Sequence, residues 1–133
     1  MCKHAPTILV VDDDEEICET ISNLLTDAGF AVQTAATGRE ALAIVDEAPV
    51  DMMVADIRLP DGLDGLTMVR KARMRHPGLK CLFISGNRGP IICDPALDDF
   101  VAKPFRLEEL LGCVWKVLRG NFPQPRLEIA PES

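Results

Sequence analysis

TILVVDDDEEI, Thr7 to Ile17, sets a short β-branched run directly against five consecutive acids. The run suits a strand buried on both faces, because its apolar residues are continuous rather than alternating. Apolar residues then recur at Ile17, Ile21, Leu24, Leu25 and Ala28, a helical stripe that stops at Gly29, a residue suited to a C-cap. A strand feeding a helix across a few residues is one βα unit. The acids at the junction repel one another, so they either spread into water at the helix start or surround a cation. Asp14 and Glu15 fit the first explanation, since a helix start favours acidic side chains and an Asp N-cap. Asp12 and Asp13 are left for the second.

The alternation continues downstream. FAVQT (Phe30 to Thr34) reads as a half-buried strand, and Thr37 with Glu40 forms a capping-box pair opening a helix through about Val45, stopped by Pro49. DMMVAD (Asp51 to Asp56) is a third strand, and Leu66, Val69 and Ala72 mark a third helix halted by His76-Pro77-Gly78. KCLFIS (Lys80 to Ser85) is a fourth strand and FVAK (Phe100 to Lys103) a short fifth. Leu107, Leu110, Leu111, Val114 and Leu118 stripe a last helix ending near Gly120. These repeats predict an α/β fold of (βα)5 type, a doubly wound five-stranded parallel sheet with helices on both faces and one weak helix before the fifth strand. In such sheets functional groups gather at the carboxyl ends of the strands. Here those ends carry Asp12-Asp13, Asp56, Ser85 and Lys103.

The 133 residues, 47% hydrophobic and 26% charged, fit one globular domain with a substantial core. A net charge of −7 argues against nucleic acid as a direct partner, because phosphate backbones need a basic face. The apolar runs fall short of the roughly eighteen residues of a membrane span. The Met1-Cys2-Lys3-His4 start lacks a signal-peptide pattern, so no membrane partner and a cytoplasmic location are expected. The five cysteines are widely spaced and odd in number, with no CxxC, which disfavours a metal site or a disulfide framework. Cys18, Cys81 and Cys113 are expected as buried or half-buried thiols. The basic run Arg70, Lys71, Arg73, Arg75 and His76 reads as a solvated face rather than a docking patch, and as an offset to the nearby acids.

Three carboxylates, Asp12, Asp13 and Asp56, would meet with one hydroxyl and one ammonium. Unneutralised, they would raise one another's pKa. A Mg²⁺ ion relieves this, since it accepts one or two carboxylates, a carbonyl and waters alongside phosphate oxygens. Lys103 would add a fixed positive charge, and Ser85 a hydroxyl donor to an anionic oxygen. A carboxylate nucleophile, a metal, a lysine and a small donor are the equipment of phosphoryl transfer.

With the acidic pair after ILVV, the aspartate of VADIRLPDGLDG, the serine of LFISG and the lysine of VAKPF, the chain resembles a response-regulator receiver domain over roughly Thr7 to Arg119. The resemblance implies a flavodoxin-like sheet of order 2-1-3-4-5 and a phosphoacceptor signalling domain of a two-component or phosphorelay system. Its own chemistry would be limited to self-phosphorylation and self-dephosphorylation. Asp56 would take the phosphoryl group from a sensor histidine kinase or histidine phosphotransfer protein. The implied Mg²⁺ ligands are Asp13 directly, Asp12 through water, Asp56 and the carbonyl of Arg58. Lys103 would pair with the phosphoryl group, Ser85 would swing toward it, and Phe100 would be the aromatic switch. Pro104 would follow a peptide that is often cis. By the same resemblance, Arg58 and Asn87 would stand at the positions, two after the aspartate and two after the serine, that tend to tune dephosphorylation.

Two departures from the family pattern stand out. The loop after Asp56 carries one extra residue in PDGLDG, so it should bulge, with Gly62 and Gly65 easing the fit. Between Ser85 and Phe100, Gly86, Gly89, Pro90 and Pro95 oppose a regular helix, and a short, distorted or near-absent fourth helix is expected. The domain is expected over residues 1–120. The tail after Gly120, with three prolines, is expected as a flexible end or linker stub of a stand-alone receiver or of a larger signalling protein with an output partner.

Each assignment has a plainer rival. Asp56 can be read as a turn aspartate before Leu59-Pro60-Asp61-Gly62, Ser85 as a strand-end serine, Phe100 as core and Lys103 as a surface lysine. A haloacid-dehalogenase-like phosphatase would use Asp12 as its nucleophile, with Ser85, a lysine and the pair Asp98-Asp99. Against it, those acids precede Lys103, the chain has no room for a cap, and Asp56 would have no role. A pseudo-receiver, an interaction module without phosphorylation, has only the altered fourth helix in its favour.

Overall fold

A computed structural model describes residues 5–59, 63–86 and 97–119. The strands are β1 (Thr7–Val11), β2 (Ala31–Ala35), β3 (Met52–Asp56), β4 (Lys80–Ser85) and β5 (Asp98–Ala102). The helices among the described residues are α1 (Glu15–Asp27), α2 (Gly38–Glu47), α3 (Gly65–Arg73) and α4 (Leu107–Arg119). All strand pairs are parallel and the sheet order is β2-β1-β3-β4-β5, as the βα repeats require. The helix expected before β5 falls on residues 87–96, outside the described residues, as do the tail after Arg119, Asn87 and residues 60–62 of the loop expected to bulge.

Strand residues point alternately to opposite faces, so each continuous apolar run feeds two cores. Ile8, Val10, Met52, Val54, Leu82 and Ile84 pack under α1 and α4 with Ile21, Leu25, Leu110 and Val114. Leu9, Val11, Met53, Ala55, Cys81 and Phe83 pack under α2 and α3 with Ala41, Val45, Met68 and Val69. Cys18 and Cys113 are half-buried thiols and Cys81 a buried thiol. Both thiols at the helices are pushed above the usual cysteine range by burial, with Asp12 and Asp99 respectively acting the same way.

Helix ends follow local chemistry. Asp14 caps α1, its Oδ1 accepting from the N–H groups of Glu16 (3.0 Å) and Ile17 (3.3 Å). Gly29, at φ +102°, turns the chain out of α1 in a conformation that side chains resist. Thr37 caps α2 through the Glu40 N–H (3.1 Å), while Glu40 reaches back to the N–H of Ala36 (2.8 Å), one residue before the cap.

Four sequence expectations shift. β2 runs one residue later than Phe30–Thr34 and is mostly exposed at the sheet edge. β5 begins at Asp98 rather than Phe100, because Asp98 pairs in register with Cys81 and its carboxylate is held by Arg73. In α4, Val117 is buried beside Leu110 and Val114, whereas Leu107 is exposed and Leu118 only half-buried. The basic run is not a uniformly solvated face. Arg73 donates to both carboxylate oxygens of the fully buried Asp98 (Nη1 to Oδ2 at 3.1 Å) and to the Leu79 carbonyl. Arg75 and His76 both reach Asp46. These partners lie toward the amino end of the sheet, so they do not offset the acids at its carboxyl end.

Candidate functional site

The site is assembled from strand ends. β1 hands Asp12 to the carboxyl edge, and the ladder continues one step further as the Asp12 N–H donates to the Ala35 carbonyl at 3.1 Å. Register brings the remaining groups alongside: Val11 opposes Ala55, Asp56 opposes Ile84, and Ser85 opposes Ala102. Lys103 is set in place by its own N–H, which donates to the Ser85 carbonyl at 2.8 Å, and the Lys103-Pro104 peptide is cis.

One side-chain contact joins two of the predicted residues. Lys103 Nζ donates to Asp56 Oδ2 at 2.9 Å, and the other oxygen, Oδ1, accepts from the Arg58 N–H at 3.0 Å. Asp56 is 6% exposed, far more buried than a turn aspartate would be. Burial pulls the Lys103 ammonium down, but the hydrogen bond and charge of Asp56, with Asp12 and Asp14, outweigh it and leave its pKa raised.

Asp12 is 3% exposed, with Oδ1 accepting from the Asp14 N–H at 2.9 Å. Its Oδ2 is buried and has no hydrogen-bond partner among the described residues. Burial lifts the Asp12 carboxyl to about 6; the Asp14 N–H opposes this, Asp56 adds to it, Lys103 opposes, and Asp13 adds. Asp13 is exposed, Ser85 is buried at the end of β4, and Phe100 is 40% exposed on β5, not in the core.

This edge has the character of a cation site. A buried carboxylate oxygen without a donor, beside a second carboxylate that raises its pKa, is a deficit that a hard cation relieves. Among the described residues no group of three His, Cys, Asp or Glu side chains is placed to hold a metal ion, so the expected meeting of Asp12, Asp13 and Asp56 is not formed: Asp13 is exposed while the other two are buried. Mg²⁺ does not require three such side chains, since it keeps several waters and binds through one or two carboxylates.

The phosphatase alternative loses a required group. Asp98 lies at the amino end of β5, paired with Arg73, and cannot join Asp12 at the carboxyl end of β1. Sequence reasoning missed the Arg73–Asp98 pair, which joins residues 25 apart and has no local signature. It also missed how closely Gly65 approaches Asp56.

No helix among the described residues is long and apolar enough to cross a membrane. The family model for the response regulator receiver domain matches residues 8–114. The chain is 36% identical over 120 residues to the response regulator MprA of Mycolicibacterium vanbaalenii, covering 87% of this chain and 52% of that protein. It is 34% identical over 124 residues to the transcriptional regulatory protein TcrA of Mycobacterium tuberculosis, covering 89% of this chain and 48% of that one. The chain therefore spans about half the length of these curated relatives. Among solved structures, the chemotaxis protein CheY4 of Vibrio cholerae superposes with a TM-score of 0.77 at 31% identity, covering 86% of this chain and 99% of that one. Sheet order, the aspartate–lysine pair at the strand ends and these similarities converge: the chain belongs to the response regulator receiver domains, the signalling domains of two-component systems.

Proposed function

We propose that this domain accepts a phosphoryl group on Asp56 from a phosphohistidine donor, carried by a sensor histidine kinase or a histidine phosphotransfer protein, and thereby switches a partner-binding surface. The observation that carries the reading is the 2.9 Å contact of Lys103 Nζ with Asp56 Oδ2 beside the unpartnered Oδ2 of Asp12. An Asp56 carboxylate oxygen attacks phosphorus, the phosphorus–nitrogen bond breaks, and the imidazole departs with the electron pair and takes up a proton. Lys103 holds positive charge where the phosphoryl oxygens come to rest, and the Arg58 N–H keeps the other carboxylate oxygen oriented. Ser85 supplies a hydroxyl to a phosphoryl oxygen, and Phe100, on the edge strand β5 that Lys103 directly follows, relays the change. Asp12, Asp13, Asp56 and the Arg58 carbonyl would hold Mg²⁺, which when bound would supply positive charge to offset the negative charge of the transfer. The products of the switch are read by an output domain or partner protein.

Incubation with Mg²⁺ and acetyl phosphate, followed by mass spectrometry, tests the reading. A base-labile adduct on Asp56 that vanishes in Asp56→Asn is expected. A label on Asp12, or none on either residue, would refute it.

A further inference from the structure

Leu63 and Gly65 bring the chain back against the fold at the start of α3. Leu59 and Leu63 both pack on the core under α2 and α3. Leu63 rests on the bare backbone of Gly38, the first residue of α2: a Cβ there would stand 2.8 Å from Leu63 Cδ2 and 3.0 Å from its Cγ. Gly65, the first residue of α3, lies against the phosphoacceptor's own peptide. A Cβ on Gly65 would stand 2.5 Å from the Asp56 carbonyl oxygen and 3.0 Å from Ile57 Cα, and the Gly65 N–H donates to the Ile57 carbonyl at 2.8 Å. Two side-chain-free surfaces are thus used in series, one to seat Leu63 and one to bring α3 onto the backbone of Asp56.

We propose that Leu63 and Gly65 are positioning residues for Asp56: Leu63, lodged on Gly38, fixes the chain entering α3, and Gly65 transmits that anchorage to the phosphoacceptor backbone. The proposal rests on Asp56 being the phosphoacceptor. Neither residue touches the phosphoryl group. The contacts at the two glycines differ in kind. At Gly38 the obstacle is a side chain that can rotate away, so Gly38→Ala dislodges Leu63 and spares the backbone. At Gly65 the obstacle is the backbone of Asp56 and Ile57, which no rotamer change relieves, so a Cβ there shifts α3 and the phosphoacceptor backbone relative to each other.

The test is the rate of Mg²⁺-dependent labelling by acetyl phosphate as a function of donor concentration, with the adduct mapped by mass spectrometry. Gly65→Ala should lower the limiting rate by about tenfold or more, with little change in the donor concentration giving half-maximal rate, as misplacement of a reacting group predicts. Leu63→Ala and Gly38→Ala should each lower it by about three- to fivefold. Because both disturb one contact, the double variant should be slowed no more than the slower single one. Leu63→Met, which keeps the volume, should restore the wild-type rate. Unchanged rates in Leu63→Ala and Gly38→Ala, or additive losses, overturn the proposal, and this pair decides even if Gly65→Ala does not fold. A loss of thermal stability without a change in labelling rate also overturns it. A wild-type protein that takes no label on Asp56 instead removes the reading on which the proposal stands.

Discussion

Replacing Asp12 by Asn should stabilise the metal-free domain at neutral pH, although it deletes a residue of the site. The buried Asp12 carboxyl is lifted from 3.8 to about 6, so the folded state holds its proton more tightly than the unfolded state does. Below the unfolded value the group is neutral in both states and costs nothing. As pH rises from there through about 6 the ionised form is imposed on the fold, and stability falls. The whole displacement corresponds to up to about 3 kcal/mol, and screening at the open strand edge reduces this to roughly 1–2 kcal/mol. Asn keeps an oxygen to accept from the Asp14 N–H, so the bond at 2.9 Å survives while the charge is removed. Urea denaturation in EDTA, for wild type and Asp12→Asn between pH 4 and 7.5, isolates the effect as a difference between the two curves. That difference should be near zero at pH 4, grow through the interval and favour the variant by about 1–2 kcal/mol at pH 7. Added Mg²⁺ should then stabilise the wild type and reverse the order. A difference independent of pH, or a variant less stable than wild type at pH 7 without metal, would refute the reasoning.

Asp98→Asn should remove the charge facing Arg73 and destabilise the fold by about 2–4 kcal/mol in urea, since a guanidinium 18% exposed loses its carboxylate partner. Labelling at Asp56 should stay within about twofold of wild type, because Asp98 is at the other end of β5; a collapse of labelling in a folded variant would contradict that separation. The acids after β1 should divide by role. Asp14→Ala should cost about 1 kcal/mol by uncapping α1 yet keep the Mg²⁺-dependent rise in melting temperature. Asp13→Ala should abolish that rise while leaving metal-free stability near wild type, and calorimetric titration with Mg²⁺ distinguishes the two.

The legible parts of this protein were those encoded within a few residues. Thr7–Val11, Met52–Asp56 and Lys80–Ser85 announce themselves as strands, because continuous apolar runs suit two-sided burial. Asp14 and Thr37 mark helix starts, because a capping oxygen reaches only two or three residues ahead. Asp12, Asp56, Ser85 and Lys103 follow from knowing where strands end, and parallel topology then carries all four to one edge.

The chain by itself therefore determined the order of elements, the sheet and which side chains stand at the strand ends. What tertiary structure alone decided is pairing across distance. Arg73 read as a surface cation until Asp98, 25 residues later, proved to be its buried partner, a pairing that also set where β5 begins. Val117 is fully buried while Leu118 only flanks the same core, because the crossing of α4 over the sheet, not the apolar count, chooses the inward face. Leu63 on Gly38 and Gly65 on Asp56 depend on two helix starts meeting one loop. Periodicity and capping are local and so are written in the sequence; the orientation of a face and the company of a charge arise only when separate segments pack together.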